Sequence, residues 1–176
     1  LKNLSEKGTK IFLTHGNRDF LIGKKFENIT NVKILPENHI VSFQDMEILI
    51  THGDLLCTDD IEYQKFRKFI RNKTIVSIFN LLSNNIKSKL ALYLRNKSKK
   101  ITSQKPDGIM DVNYETVLSF YKKFKINIII HGHTHRKKIH KTNSNGKNYI
   151  RYVLGDWHNS PSYIVFKNNK VELVDL

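Results

Sequence analysis

The sequence predicts an α/β fold interrupted by a basic helical insert, and three observations carry that prediction. Short β-rich apolar runs alternate along the chain with stretches of helical apolar spacing. Three of those runs, "IFLTHGNRD" (11–19), "ILITHGD" (48–54) and "IIIHGHTH" (128–135), end in polar knots that draw on Gly, His, Asn and Asp. From Ile61 to about Lys100 the pattern instead turns helical, and residues 61–105 hold 12 Lys and Arg against one acid, Glu62.

Taken in order, "TKIFLT" (9–14) is a strand ending at the first knot, and "DFLIGKKFENI" (19–29) has helical spacing at Phe20, Leu21, Phe26 and Ile29. "NVKILP", "HIVSF" and "MEILITHGD" read as strands, with "QD" as a tight turn between the last two. In the insert Tyr63, Phe66 and Ile70 fall at i, i+3 and i+7, and Ile86, Leu90 and Leu94 at i, i+4 and i+8. These spacings place the insert's aromatics on apolar helix faces. "DVNYETVLSFYKKF" (111–124) is a further helix with Asp111 as its N-cap. "INIIIH", "YIRYVLGDWH", "SYIVFKN" and "KVELVDL" complete the strands. Asn145-Gly146 marks a hairpin and "KNNK" a second, weaker one.

The 176 residues, 39% hydrophobic, suffice for one domain with a core spanning 1–176, the 61–105 insert lying within it. No window approaches the roughly 18 apolar residues of a membrane-spanning helix, and no secretory-signal pattern is present. Cys57, the single cysteine, excludes an internal disulfide and suits a reducing, cytoplasmic setting. The formal charge is +14. An AT-rich coding sequence would favour Lys over Arg, but it would spread the charge, and residues 61–105 alone carry +11. That concentration makes the insert a basic module suited to an anionic surface.

The knots offer Asn17, His52, His133 and His135. One histidine at a strand end is ordinarily structural, whereas three knots of one grammar point to a shared ion. Imidazoles with an amide oxygen and no thiolate cluster suit Mn²⁺, Fe²⁺, Co²⁺ or Zn²⁺, and the absence of Cys pairs argues against a structural zinc.

The order "GNRD", "HGD", "HGHTH" resembles the calcineurin-like metallophosphoesterases. The longer strings "HGNRDFLIGKKF", "HGDLLCTDDIEYQKFR", "IMDVN", "HGHTHRK" and "VLGDWH" resemble the UDP-2,3-diacylglucosamine diphosphatases of lipid A biosynthesis along essentially the whole chain. The resemblance implies a metallophosphoesterase sandwich with the insert as a lid, and two ions, usually Mn²⁺. Asn17, His52 and His133 would serve one ion and His135 the other, with His131 a neighbour rather than a ligand. A hydroxide held between the ions would attack the α-phosphorus of UDP-2,3-diacylglucosamine, giving UMP and 2,3-diacylglucosamine 1-phosphate. Arg18 stands where many relatives in the superfamily carry a proton-donating His. A guanidinium that clamps phosphate suits a phosphoanhydride, whose leaving group is already a weak base. The resemblance further implies substrate contacts at Asp60, Ser98, Thr102, Lys105 and His133. It also implies attachment to the anionic cytoplasmic face of the inner membrane, with no nucleic acid and no obligate protein partner.

The resemblance has one gap. The superfamily's early D-x-H and G-D-x-x-[DE] motifs have no counterpart among the 16 residues before Asn17. The expectation is therefore an N-terminally truncated, catalytically impaired fragment that lacks one βαβ portion. Asp156-Trp157-His158 is formally D-x-H, but it is expected to pack or support rather than to ligate. Two other readings remain: a nuclease or nucleotide phosphodiesterase whose insert grips phosphate backbones, and a non-catalytic membrane-surface module.

Overall fold

The computed structural model describes every residue except Ser103, Asp107 and Asn169, and every other side chain except those of Lys99 and Thr102. A short helix α1 (Lys2–Glu6) precedes strand β1 (Phe12–Leu13), helix α2 (Lys24–Thr30) and strand β2 (Lys33–Ile34), with β1 and β2 parallel. Strands β3 (Asn38–Phe43) and β4 (Met46–Thr51) form a hairpin whose turn places Gln44 at φ 53°. The insert comprises α3 (Ile61–Ile70), α4 (Lys73–Leu81) and α5 (Asn84–Thr102). Helix α6 (Tyr114–Phe124) leads into β5 (Ile128–His131), β6 (Lys138–Ser144) and β7 (Lys147–Val153), and the hairpin β8 (Ser162–Lys167)–β9 (Lys170–Asp175) ends the chain.

A five-stranded sheet in the order β3-β4-β5-β7-β6 forms the core. Its three central strands are parallel and its two edge strands antiparallel. A parallel strand covered on both faces must be apolar on both faces, which is why "III" at 128–130 is continuous rather than alternating. Leu49 and Ile129 point towards α6, where they pack with Leu56, Val117, Tyr121 and Tyr149. Ile48, Ile128 and Ile130 point the other way, against Phe43 and the β8–β9 residues Ile164, Phe166 and Leu173. The predicted α/β core is present, and α3, α4 and α5 occupy 61–102 of the segment expected as a helical insert. At Asn145-Gly146, φ values of 51° and 73° give the hairpin its left-handed turn.

Three local expectations are corrected. The helix predicted over 19–29 begins only at Lys24, because Asp19 to Ile22 close a turn in which the Ile22 amide donates to the Asp19 carbonyl at 2.9 Å. Phe20 therefore belongs to the first knot. The cap of α6 is Asn113, whose side chain accepts from the Thr116 amide at 2.9 Å, while Asp111 pairs with Arg136 at 2.8 Å. Asn113→Ala is expected to cost about 1 kcal/mol in urea unfolding, and Asp111→Ala less, since its ion pair is exposed. Finally, the aromatics and aliphatics of the insert do not all face an apolar partner. Phe69, Leu81, Leu92 and Tyr93 are 59–87% exposed.

Candidate metal centre

The parallel register brings three strand ends level, since Thr51 of β4 pairs with His131 of β5 and His131 with Val153 of β7. The loops that leave these strands must then share one edge of the sheet. Two of them are tied directly, the Gly132 amide donating to the His52 carbonyl at 3.1 Å. The approach is close enough to demand glycine at position 53. Its φ is 109°, and a Cβ there would lie 2.7 Å from His131 Nδ1.

At this junction His52 Nε2 and His133 Nδ1 face each other at 3.2 Å. Burial holds both imidazoles below their ordinary pKa, His133 at about 4 with the neighbouring His52 adding to the effect. Both rings are therefore neutral at pH 7 and have lone pairs available for a metal. His133 and His135 sit at φ 65° and 57°, in the left-handed region that non-glycine residues seldom occupy. That backbone, rather than strand alternation, directs the second and third histidines of "HGHTH".

The first knot closes against the same point. A Cβ on Gly16 would meet Asp19 Oδ1 at 3.2 Å and His52 Cε1 at 3.3 Å, which places the residue before Asn17 beside the His52 ring. Asp19 Oδ1 is buried there without a hydrogen-bond partner. Neutral imidazoles in near contact, beside an orphaned carboxylate oxygen, suit a divalent cation. Their 3.2 Å separation is close to that of two nitrogens bound at about 2.1 Å and a right angle to one ion. Among the described residues no three His, Cys, Asp or Glu converge by themselves. Asn17 follows directly on Gly16, beside the His52 ring, and is half-buried. His135 is close enough to His52, His133 and Asp156 to interact electrostatically with each.

His131 has both nitrogens engaged, Nδ1 with the Gly132 carbonyl at 2.8 Å and Nε2 with the Arg151 guanidinium at 2.9 Å. Burial pushes its pKa down to about 3. It braces the loop. The Asp156 carboxylate accepts from the amides of His158 and Asn159 in its own turn, and the indole of Trp157 is 72% exposed rather than packed.

Of the remaining sequence-derived positions, Arg18 is exposed next to Asn17. Asp60 caps α3 by accepting from the Tyr63 amide at 3.0 Å and takes the Lys105 ammonium at 2.6 Å, so two expected substrate contacts are paired with each other. Ser98 lies half-buried on α5, with no hydrogen bond linking it to the histidines among the described residues. The side chain of Thr102 lies outside what the structure describes.

Sequence reasoning missed the layer behind the histidines. The Tyr63 ring lies 5.8 Å from that of His133, and its hydroxyl donates to Asp54 Oδ2 at 3.0 Å. Asp54, fully buried, also accepts from Arg67 Nε at 2.7 Å, and Arg67 continues to Glu37. Arg67 and Arg71 stand one helical turn apart on the side of α3 that also presents Tyr63. That spacing was the available signal, masked by reading the insert's charge as one basic module for an anionic surface.

Residues 1–137 match the model of the calcineurin-like phosphoesterase family. The chain belongs to that family. It is 40% identical over 174 residues to UDP-2,3-diacylglucosamine hydrolase of Proteus mirabilis (strain HI4320), covering 99% of this chain and 72% of that one. The UDP-2,3-diacylglucosamine hydrolase of Yersinia pestis bv. Antiqua (strain Angola) has the same identity and coverage. Among solved structures, an archaeal phosphodiesterase aligns with 96% of this chain and 70% of its own, at TM-score 0.44 and 14% identity. Vacuolar protein sorting 29 from Cryptosporidium parvum aligns with 100% and 75%, at TM-score 0.45 and 12% identity. The assignment rests on the sequence matches. As a calcineurin-like phosphoesterase the protein acts with divalent metal ions, and the donors converging at His52 and His133 are the residues here that fit one.

Proposed function

We propose that this calcineurin-like phosphoesterase hydrolyses the pyrophosphate bond of UDP-2,3-diacylglucosamine to UMP and 2,3-diacylglucosamine 1-phosphate. The observation that carries this is the facing His52–His133 pair in a chain so similar to the UDP-2,3-diacylglucosamine hydrolases. His52, His133 and Asn17 hold one divalent ion, with Mn²⁺ proposed, and His135 contributes to a second. Divalent ions there supply Lewis-acid activation of water and of the phosphoryl oxygens. Arg18, exposed at the rim, clamps the pyrophosphate with its planar fork of donors. The Tyr63 ring backs His133 and keeps it aimed at the reacting phosphate. The Asp60–Lys105 pair bears on the substrate from the start of the insert, together with Ser98 and Thr102.

The exposed apolar residues of the insert, Ile78, Leu81, Ile86 and Leu92 among them, lie in its lysine-rich segment. That combination supports a lid that shelters acyl chains and rests on the anionic cytoplasmic face of the inner membrane. No helix among the described residues is long and apolar enough to cross a membrane.

The test is UMP release by the full-length protein, with and without Mn²⁺, in ¹⁸O-labelled water. Metal-dependent hydrolysis with the label in UMP is expected, because attack at the α-phosphorus adds the water oxygen there. Label in the lipid product would overturn that site of attack. Turnover of RNA or simple phosphodiesters with none of the lipid nucleotide would overturn the substrate.

A further inference from the structure

We propose that Arg71 is the positioning residue for the Asn17 loop, linking the basic insert to the metal centre. The inference rests on the reading of Asn17 as a metal donor. The loop from Gly16 to Phe20 has little ladder to hold it, since β1 before it is only Phe12–Leu13. Its internal contacts, the His15 ring with the Ile22 carbonyl and the Ile22 amide with that of Asp19, shape the loop without attaching it to β4.

Arg71 supplies that attachment at both ends of the loop. Its Nη2 donates to the Gly16 carbonyl at 2.8 Å, one residue before Asn17. Its guanidinium carbon lies 5.4 Å from the centroid of the Phe20 ring, three residues after Asn17. The other side of the fork is fixed, with Nη1 donating to Glu37 at 2.5 Å and Nη2 standing 3.7 Å from Asp54 Oδ2. The side chain is only 17% exposed. Asp54 in turn lies two residues beyond His52. One guanidinium thus fixes the Asn17 loop against the loop that carries His52.

The division of labour with Arg67 makes the inference specific. Arg67 already docks α3 through Asp54 and Glu37. Among the described residues Arg71 alone of this pair reaches the Gly16–Phe20 loop. Removing Arg71 should therefore release the Asn17 loop while the insert stays docked. A lysine keeps the charge, but a single ammonium cannot satisfy Glu37 and Gly16 while presenting a flat face to Phe20.

The experiment is calorimetric titration of Mn²⁺ into the full-length metal-free protein as wild type, R71A, R71K, N17A and R71A/N17A, with metal-free melting curves alongside. R71A is expected to bind Mn²⁺ ten- to a hundredfold more weakly, the range found when partners behind metal ligands are removed. R71K is expected to bind several-fold more weakly with its fold intact, and it carries the test if R71A does not fold. The double variant should bind no more weakly than N17A, because Arg71 acts through Asn17. Wild-type affinity in R71K, or effects of R71A and N17A that multiply in the double variant, would overturn the inference while leaving Asn17 a donor. Wild-type affinity in N17A would remove Asn17 from the donor set, and the premise with it.

Discussion

His133→Ala is expected to lower UMP release by more than about a hundredfold and to weaken Mn²⁺ binding in parallel. Removing a group behind a metal ligand already costs ten- to a hundredfold, and His133 is read as a ligand itself. It faces His52 at 3.2 Å, and the Tyr63 ring lies 5.8 Å from its own. Burial keeps it neutral, with a pKa of about 4, so no deprotonation limits metal binding near pH 7. Alanine also has to adopt φ 65° there, where its Cβ crowds the following carbonyl oxygen. His133→Asn separates the two effects, because asparagine tolerates the left-handed region but lacks the imidazole. Both variants should lose activity, with the asparagine protein retaining more of its thermal stability. Turnover within tenfold of wild type in His133→Asn, with metal bound normally, would remove His133 from the centre.

Asp54→Ala is expected to destabilise the metal-free protein by about 2–3 kcal/mol, because it leaves Arg67 Nε and the Tyr63 hydroxyl without their buried charged acceptor while Arg67 keeps Glu37. Asp54 is fully buried, and the Arg67 side chain beside it is 11% exposed. Burial works to raise the Asp54 pKa, but the Arg67 hydrogen bond and charge, aided by His52 and Tyr63, outweigh it and hold the carboxyl below its ordinary value. A lowered carboxylate pKa means that the unfolded chain takes up the proton first. The contribution of Asp54 is thus complete above the unfolded value of about 4 and is lost as pH falls through the lower folded value. Urea unfolding should show wild type losing stability in that acidic window, with a shallower loss in Asp54→Ala. Equal midpoints for the two proteins at pH 7 would refute the role assigned to this carboxylate.

These residues show where sequence reasoning succeeds. The buried parallel strands were legible because a run such as Ile128–Ile130 has no polar side to misplace. The knots were legible because glycine and histidine together at strand ends have few other uses. Asn113 was missed as a cap because Asp111, two residues earlier, is an equally good capping type, and only the chain path decides between them. The start of α2 was missed because Phe20 and Leu21 fit helical spacing, whereas Phe20 serves the cation–π contact with Arg71. Arg67 and Arg71 were missed for a related reason. In a helix rich in basic residues their four-residue spacing from Tyr63 was the one local sign, and their partners Glu37, Asp54 and Gly16 are 13 to 55 residues away.

The parallel pairing of β4 with β5 has a bearing on how such a chain can carry a helical insert. Thr51 and His131 are neighbours in the sheet, and the whole insert lies within the crossover that joins their strands. Chain-closure entropy rises only logarithmically with loop length, by about 0.6 kcal/mol per doubling. The 61–105 segment makes the crossover about two and a half times as long. Its acquisition would have been nearly neutral for the sheet, so selection could reshape those helices for a new substrate without renegotiating the strands that present the histidines. The same topology predicts a slow step in folding, since no β4–β5 contact can form until the full crossover has closed.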